Sequence, residues 1–546
     1  EGEAAHQRLD LGQLTPAALE LLLGALLDTD RVPPPVRDFV LSRGEGNPYY
    51  VEELVHMLVV RGVATRADGG WQIEGGALQG DAVPTTLAGM LQAHLDALTP
   101  DQKRLLQRAS VYGREFWTAA VAALGAVDPA DLEALRRSGL VVARGRSTFA
   151  GEQEFLFKHA LLRDAAYGSI LKRQRPPLHA AAADWLAAAA GDRYPALAAQ
   201  IAAHCLSADR PLAAAHHLGA AGDRERQAYA NDSAVAAYSR ALELWSTADE
   251  VPPSERAGAA GVPAGVDAPA ARFACLRGRE LVRDTLADRD GQRADLDAMA
   301  ALTHGLGDAA RSYVHFRRSW LAQRLGDGER ALAEARAALD SAGDDPHARA
   351  DALVNLGNAL LMTASPADAE APFREAVQGF DQLGDPAAAA NAWLGVARAC
   401  RAGGRPADAE RGTANALALY RDVGDLVGQA ATLMVQAVTH GMQGDLDAAE
   451  PLLRDAHRLY RQAGERDGEG MALHNLGFLS KERGDLPAAR EHLVAAAAVF
   501  RATRNAPSVA LVYDDLADVA AALGDDAAAE SARRDAAAAR AAPRRR

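Results

Sequence analysis

The fold is decided by residues 383–425, LGDPAAAANAWLGVARACRAGGRPADAERGTANALALYRDVGD, because the spacing of turn residues and small residues in this stretch repeats along the chain. Its turn recurs every 40 residues, as Leu383-Gly384-Asp385, Val423-Gly424-Asp425, Ala463-Gly464-Glu465 and Thr503-Arg504-Asn505. A second series keeps the same interval: Ala369, Ala409, Ala449, Ala489 and Ala529. Two amphipathic helical patterns fill each period, so the sequence predicts a solenoid of helix-turn-helix units.

Within each period the large and small residues resemble those of tetratricopeptide repeats. The resemblance is carried by Leu353, Leu356, Gly357, Ala369, Phe373 and Ala376, then by Trp393, Ala397, Ala409 and Ala416, and later by Leu473, Leu476, Gly477, Ala489, Leu493 and Ala496. Small residues stand where two helices touch, and large ones fill the gaps between pairs. The departures are a period longer than about 34 residues and the polar residues Gln436 and Arg533 at apolar positions. We expect a superhelix of about seven units over residues 268–541, the last acting as a cap.

The resemblance implies a concave groove lined by the first helix of each unit. On the family's spacing, the groove positions include Asn358, Arg398, Met434, His474, Phe478 and Asp518. An amide, charges, a thioether and a ring are the mixture that a peptide- or protein-binding groove needs. For each residue alone, ordinary helix surface remains an open alternative. The groove as a whole is predicted to bind a protein or small-molecule effector.

Phe478 stands out because the repeat does not demand an aromatic residue at its position. The equivalent residues of other units are Asn358, Arg398, Val438 and Asp518. Two interpretations are open: the ring is an exposed anchor for a partner, or it packs between helices. The exposure of the ring separates them.

Composition and charge narrow the class of protein. Hydrophobic residues make up 49% of the chain and aromatic ones 5%, which suits closely packed helices better than β-sandwiches. The net charge of −14 argues against a dedicated nucleic-acid-binding protein. Three widely separated cysteines indicate neither a disulfide framework nor a zinc cluster. That usage fits the cytoplasm, and no apolar stretch reaches the length of a membrane span.

The first half of the chain predicts smaller helical domains. Residues 1–82 contain helical patterns from about Pro16 to Leu27 and from Pro34 to Arg61, with a turn at 44–48 between helical runs. Residues 83–175 predict a winged-helix domain, with helices at Thr99–Tyr112, Trp117–Leu124 and Pro129–Ser138 and strands at Leu140–Ala143 and Glu154–Phe157. Residues 176–247 are predicted to be a helical-hairpin connector, and 248–267 a linker. The predicted fold class is therefore mostly all-α, ending in a tetratricopeptide-type α-solenoid.

Three segments of this half resemble parts of STAND and AAA-type signal-transduction ATPases. They are EGNPYYVEELVHMLVVRGV (Glu45–Val63), VPTTLAGMLQAHLDALTPDQKRLLQRASVYGREF (Val83–Phe116) and FLFKHALLRDAAYGSIL (Phe155–Leu171). Such regulators, which include LuxR-type activators, maltose-regulon activators and nucleotide cyclases, join a P-loop core to a helical lid, a winged helix and a repeat sensor. The resemblance implies that residues 1–82 are the lid remnant of such an ATPase module.

The resemblance implies cofactor contacts at Gly46, Pro48 and His159. The turn Gly46-Asn47-Pro48 would place its proline near an adenine, and His159 would contact the β-phosphate of ADP. The aspartate that follows this histidine in the family is Ala160 here. An ordinary turn and a structural histidine are the open alternatives.

The P-loop motif G-x-x-x-x-G-K-[ST], which phosphate capture by these ATPases needs, is absent from the sequence. We expect the chain to begin downstream of a P-loop core, which would be its partner in the complete protein. By itself the chain is expected to be no enzyme and to hold no cofactor, while ATP or ADP is expected in the complete protein. The complete protein would be an ATPase. Three alternatives are open for its output: an N-terminal cyclase domain, an N-terminal transcriptional domain, or none.

Other chemistry is not indicated, and the sequence predicts neither catalytic residues nor metal ligands. The paired acids Glu52-Glu53 and Asp514-Asp515 are interpreted as solvated helix faces. DNA contact by the winged helix is the least favoured function. Residues 101–175 carry 13 Lys/Arg against 8 Asp/Glu, but the third helix begins Asp131-Leu132-Glu133, which would meet phosphates badly.

Overall fold

Helices dominate the computed structural model, which describes residues 12–29, 32–44, 46–60, 62–67, 70–73, 87–247, 266–363, 366–503 and 505–541. The predicted fold class, mostly all-α with a helical solenoid, is confirmed. The chain divides into two compact units, one ending at His217 and the other beginning at Leu218, within the predicted connector. The predicted linker 248–267 lies outside the described residues except for Val266 and Asp267.

The first unit begins with three helices and a β-hairpin. The helices are α1 (Pro16–Leu27), α2 (Pro34–Arg43) and α3 (Pro48–Val60), and β1 (Ala64–Ala67) pairs antiparallel with β2 (Gly70–Ile73). Each helix begins at a proline, whose fixed φ suits the first helical turn. The indole of Trp71 donates a 2.8 Å hydrogen bond to the carbonyl of Leu27, which fastens the hairpin to α1. The sequence predicted no strand here, because strands of four residues carry little alternation.

Short helices and a three-stranded sheet follow. In chain order they are α4 (Leu87–Asp96), α5 (Pro100–Tyr112), β3 (Glu115–Trp117), α6 (Thr118–Ala123), α7 (Pro129–Arg137), β4 (Val141–Ala143), β5 (Glu154–Phe157) and α8 (Ala160–Gly168). The antiparallel sheet has the order β3–β5–β4. The three predicted helices and two predicted strands occur in the predicted order. The sequence did not predict α4 or β3, and Trp117, expected to open a helix, ends β3.

Strand β3 depends on contacts with residues far along the chain. Phe116 stacks on Phe155 with ring centroids 5.6 Å apart, and the Trp117 indole donates a 3.0 Å hydrogen bond to Glu154. Although burial opposes ionisation of Glu154, hydrogen bonds from Thr148 and Arg144 lower its pKa to about 2. No local periodicity reveals such a strand, because its stability comes from the sheet.

Helical hairpins form the rest of the chain. Their helices are α9 (Arg175–Ala189), α10 (Tyr194–Ser207), α11 (Pro211–Gln227), α12 (Asn231–Thr247), α13 (Ala268–Thr285), α14 (Arg289–Leu306), α15 (Asp308–Leu325), α16 (Gly328–Asp340), α17 (Pro346–Met362), α18 (Pro366–Leu383), α19 (Pro386–Ala402), α20 (Pro406–Val423), α21 (Leu426–Met442), α22 (Leu446–Ala463), α23 (Arg466–Glu482), α24 (Leu486–Ala502), α25 (Ala506–Ala522) and α26 (Asp526–Ala541). From α13 onward, each odd-numbered helix is the first of a hairpin and packs on the helices before and after it.

The repeated Gly-Asp turn joins two helix caps. Gly424 and Gly464 end α20 and α22 with φ of 75° and 73°, a left-handed conformation that glycine adopts without strain. The Asp425 carboxylate then caps α21 by accepting hydrogen bonds from the amides of Val427 and Gly428, at 2.9 and 3.0 Å. The alanine series lies where helices touch, and its members are fully buried: Ala369, Ala409, Ala449, Ala489 and Ala529.

Charged side chains lie inside the first hairpins of the second unit. Glu280 is 0% exposed and accepts hydrogen bonds from Arg317 at 2.8 Å and from Gln292 at 2.6 Å. Asp295, 1% exposed, pairs with Arg283 at 2.8 Å. Because each buried carboxylate has an arginine partner, the charges are compensated as burial requires.

Candidate functional site

The first helices of successive hairpins form a continuous layer in the second unit. Helices α15, α17, α19, α21, α23 and α25 each contact the next one of this series. The second helices of neighbouring hairpins make no comparable contacts within the described residues. Since the first helices stand closer together, their free faces form the inner side of the solenoid. We call this surface the inner face.

The structure places the predicted partner-binding residues at different depths on these helices. Phe478 is 51% exposed, and Arg398 is also exposed. Asn358 and Met434 are half-buried, and His474 is buried. The ring of Phe478 therefore does not pack between helices.

Several of these side chains touch the equivalent part of the next repeat. Arg398 donates a 3.2 Å hydrogen bond to the side-chain oxygen of Asn358. The amide nitrogen of Asn475 lies 3.7 Å from the sulfur of Met434. These contacts join residues 40 and 41 positions apart, so they link successive first helices across the inner face. The structure brings Asn358 and Arg398 together directly.

His474 pairs with Asp515, a residue that the sequence analysis interpreted as part of a solvated helix face. Its Nε2 lies 2.7 Å from a carboxylate oxygen of Asp515, in the next repeat. Asp514 pairs with Arg540. Asp514 remains 44% exposed, as the interpretation of a solvated face expected, whereas Asp515 is half-buried because stacking of the hairpins brings it to His474.

Arg401 belongs to the inner face and was missed by the sequence analysis. It lies one helical turn after Arg398 on α19, and its Nη1 is 3.5 Å from the sulfur of Met442 on α21. A sequence signal existed: α17, α19 and α21 together contain one acidic residue, Asp351. The chain as a whole carries 73 acidic residues in 546, so these helices are depleted in carboxylates.

The two arginines share an environment that disfavours their charge. Burial and then the neighbouring charge of Arg401 lower the pKa of Arg398, although part of its side chain reaches solvent. Burial also lowers the pKa of Arg401. By contrast, a hydrogen bond that Arg405 donates to the Glu370 carboxylate raises the pKa of Arg405 nearby. The region around Arg398 and Arg401 is thus positive and partly desolvated.

A second candidate site lies in the first unit, where α3 meets the start of α8. Gly46 has φ of 70°, and Pro48 is the exposed first residue of α3. One turn on, Glu52 binds Lys158 at 2.5 Å and lies 4.0 Å from Nε2 of His159. Glu52, one turn after Pro48, thus links α3 to His159. Glu52, interpreted as solvated, is instead half-buried and paired.

The Gly46 turn is tightly packed. Its carbonyl accepts a 2.8 Å hydrogen bond from the amide of Leu14. A Cβ at this position would lie 2.7 Å from the Cβ of Gln13, so a larger residue would disturb the turn both sterically and through its positive φ.

Two features are absent from the part of the chain that the structure covers. There, no cluster of three or more His, Cys, Asp or Glu side chains could hold a metal ion. Across the same residues, no helix combines the length and the apolar character needed to cross a bilayer.

Comparison with known proteins identifies the repeats. Residues 388–462 match the family model of the tetratricopeptide repeat. The chain is similar in fold to a signal transduction ATPase with numerous domains (STAND) that has a tetratricopeptide repeat sensor, from Pyrococcus horikoshii. That alignment covers 93% of this chain and 72% of the other, with 12% identity and a TM-score of 0.51. No curated protein sequence matches the chain.

Two further structures share only part of the architecture. A Rap protein complexed with competence and sporulation factor aligns over 59% of this chain and 96% of its own, with 13% identity and a TM-score of 0.39. Aspartyl phosphate phosphatase F from Bacillus subtilis aligns over 57% of this chain and 83% of its own, with 10% identity and a TM-score of 0.40. Scores this low carry no functional argument. The chain contains tetratricopeptide repeats and resembles a STAND protein in fold.

Proposed function

We propose that the chain is the regulatory and sensor part of a nucleotide-switch signalling protein, and that the inner face of its repeats binds a protein or small-molecule effector. The observation that carries the proposal is the exposure of Phe478 on the inner face, where neighbouring repeats have polar or smaller residues. An exposed aromatic ring is a favoured anchor for a partner, because binding energy concentrates in a few aromatic and arginine residues.

The surroundings of Phe478 support recognition. One turn before the ring lies the pair of His474 and Asp515, and one turn after it Lys481 lies 3.3 Å from Asp518. These polar pairs flank the ring with fixed donors and acceptors, as at an interface where a central apolar contact is bordered by polar groups. A groove of this kind suits a peptide segment of a protein partner.

Selection of random peptides on the full chain tests the proposal. Peptides that bind wild type should bind the Phe478→Ala variant at least ~10-fold more weakly, which corresponds to about 1.4 kcal/mol. Val494→Ala is the matched control, since Val494 is also exposed but lies on α24, a second helix. Equal loss in both variants, or selected ligands indifferent to Phe478, would contradict the proposal.

The nucleotide-switch part of the proposal draws on the fold similarity to the STAND protein with a repeat sensor. In this chain the candidate contacts are Gly46, Pro48 and His159. As arranged, the junction does not fit a phosphate: Lys158 is already paired with Glu52, whose carboxylate also faces His159 and would repel an anion. Replacing His159 with alanine in the complete protein and measuring ADP affinity tests the contact. Unchanged affinity with an intact fold would refute it.

The proposal also concerns the domains of the complete protein that would respond to effector binding. A P-loop core and either a cyclase or a transcriptional domain would read the state of the repeats. DNA binding through the winged-helix region is less favoured. Glu133 neutralises Arg136 at 2.6 Å on α7, so that helix offers phosphates little positive charge. A gel shift without a steep salt dependence would agree with this assignment.

A further inference from the structure

The joint between α14 and α15 differs from the later joints between hairpins. Gly307 alone separates α14 from α15, whereas residues 341–345 separate α16 from α17 and residues 384–385 separate α18 from α19. Gly307 has φ of 86° and ψ of −171°, a combination that essentially only glycine adopts. Gly424, at a later joint, has φ of 75° and ψ of 18°. The angle between α14 and α15 therefore depends on the two backbone torsions of one glycine.

The helices on the two sides of this joint meet through charged side chains. Within the described residues, α13 does not approach α15 as closely as α15 approaches α17. Arg317 of α15 binds Glu280 at 2.8 Å and Asp284 at 3.0 Å, both on α13. The Trp320 indole donates a 3.1 Å hydrogen bond to Asp284. We call these four residues the latch, because they bridge two helices that stand apart.

The latch lies far from the joint. Arg317 and Trp320 follow Gly307 by 10 and 13 residues, which is about 15 and 20 Å along α15 at ~1.5 Å per residue. Met299 and Val314, which belong to the apolar cluster of the same interface, are only eight and seven residues from Gly307. A change of angle at Gly307 therefore moves the latch farther than it moves these apolar contacts.

Opening this interface is less costly than opening the later ones. Separation of an apolar interface exposes its surface to water, and apolar clusters join the later repeats. Glu280 and Arg317 are both buried, and separated charges of this kind regain the hydration that a buried ion pair lacks. Leu321, as far from the joint as Trp320, belongs to the apolar cluster, so it restricts the opening to a small angle.

The helices before the joint are tied together as one body. Asp295 of α14 binds Arg283 and Arg279 of α13 at 2.8 and 2.5 Å. Arg279 also donates a 2.8 Å hydrogen bond to Ser239 of α12. On the other side of the joint, α15 packs on α16 and α17. A rotation at Gly307 would therefore move α12, α13 and α14 together relative to α15 and the repeats that follow.

We propose that Gly307 is a hinge of the solenoid and that the latch holds it closed. In the open arrangement α12–α14 rotate away from α15, and Arg317 leaves Glu280 and Asp284. The rotation changes the curvature of the solenoid between α13 and α15, a conformational device that does not depend on which effector the inner face binds.

Distances between pairs of spin labels on the full chain, measured by double electron–electron resonance, test the hinge. The pair Thr285→Cys/Met362→Cys labels the exposed ends of α13 and α17, on opposite sides of Gly307. The native cysteines are buried and stay unlabelled. Arg317→Gln removes the charge that binds α13. It should raise the population at distances longer by ~5 Å or more at least ~3-fold above its level with the latch intact.

The matched control is the pair Leu325→Cys/Ala402→Cys, at the exposed ends of α15 and α19. It also spans two successive first helices but not the hinge, so Arg317→Gln should leave its distances unchanged. Gly307→Ala is a second variant that leaves the latch intact: nothing lies within 4 Å of the added Cβ, but alanine does not adopt the joint's torsions. It should shift the distances of the first pair alone.

The outcomes separate a hinge from a merely structural network. Distances of the first pair that stay as narrow as those of the control and unchanged in both variants would overturn the hinge. Equal shifts in both pairs would do the same, because they would mean that the whole solenoid loosens. If circular dichroism shows that Arg317→Gln loses helix, Gly307→Ala decides: a shift confined to the first pair supports the hinge, and unchanged distances overturn it.

Discussion

The ring of Phe373 packs against Gly395 of the next repeat so closely that a Cβ added to this glycine would lie 2.3 Å from the ring. On the ring's other side is Gly357, where an added Cβ would lie 2.6 Å from it. Tyr238 also packs against two glycines, since Cβ atoms added to Gly222 and Gly278 would lie 2.7 and 2.4 Å from its ring. Both rings follow their first glycine by 16 residues, so the packing rule of the repeats already operates at α11 and α12.

Replacing Gly395 with alanine should destabilise the solenoid by about 1–3 kcal/mol, because the new methyl overlaps a buried ring. Gly441→Ala is the control: nothing lies within 4 Å of its added Cβ, and alanine favours a helix by roughly 1 kcal/mol over glycine. Urea unfolding followed by circular dichroism should show Gly395→Ala to be less stable than wild type and Gly441→Ala to be more stable. A Gly395→Ala variant as stable as wild type would show that Phe373 can move aside.

Phe373 and Phe478 should respond oppositely to truncation. Phe373 is 0% exposed, so Phe373→Ala should cost roughly 3–5 kcal/mol of stability. Phe478→Ala should leave the unfolding midpoint nearly unchanged, because its ring is half in solvent. Thermal melts of both variants make the comparison, and a collapse of the Phe478→Ala midpoint would mean that the ring supports the core.

Removing one member of the buried ion pair should be more harmful than removing both. Arg317→Met leaves Glu280 without its arginine and should cost about 3–5 kcal/mol. Glu280→Leu combined with Arg317→Met should recover part of the loss, because Asp284, the other acid bound by Arg317, keeps Arg289 at 2.6 Å. Chemical unfolding of the single and double variants measures this. A double variant less stable than the single one would contradict the expectation.

Mild acid should loosen the helices around two buried histidines of the first unit. Nδ1 of His204 lies 2.9 Å from Nδ1 of His179, and His217 lies 2.8 Å from the Tyr194 hydroxyl. Burial, followed by the charge of His179, lowers the pKa of His204 to about 4. Burial, with a smaller effect of His216, does the same for His217. Both side chains are therefore neutral in the folded chain at neutral pH.

The sign of the pH dependence follows from linkage. In the unfolded chain these histidines become protonated below a pKa of about 6.5, whereas in the folded chain they stay neutral until about pH 4. Stability of this region should fall as the pH drops from 6.5 toward 4, by up to about 1.4 kcal/mol per pH unit for each histidine. Hydrogen exchange of residues 175–217 at pH 7 and pH 5, corrected for intrinsic rates, measures the loss. His204→Phe should flatten the pH dependence, and equal wild-type protection at both pH values would contradict it.

The helices and turns of the repeats could be predicted from the sequence, because the interactions that form them join residues close together in the chain. A glycine that closes one helix, an aspartate that caps the next, and a 3.6-residue apolar period all lie within a few residues of one another. The helix ends at Gly424 and Gly464 illustrate this. The short strand β3 was not readable, since its pairing with β5 joins residues that are far apart in the chain.

The candidate site was only partly predictable. The repeat spacing identified Asn358, Arg398 and Phe478 as positions of one face, but it gave no depth of burial. His474 was expected at the surface, and stacking of α23 on α25 buried it against Asp515. Arg401 was not predicted, because the sequence does not show which side chains surround a single arginine near a helix end.

The sequence alone thus determined a chain of paired helices with a 40-residue period, since propensity, capping and periodicity act within one helix or turn. Tertiary structure decided which side chains meet across repeats: Asn358 with Arg398, Glu280 with Arg317, Phe373 with Gly395. Those contacts depend on the distance and angle between stacked hairpins, which come from the packing of many side chains together. For the same reason, only the structure could show that the ring of Phe478 is open to solvent.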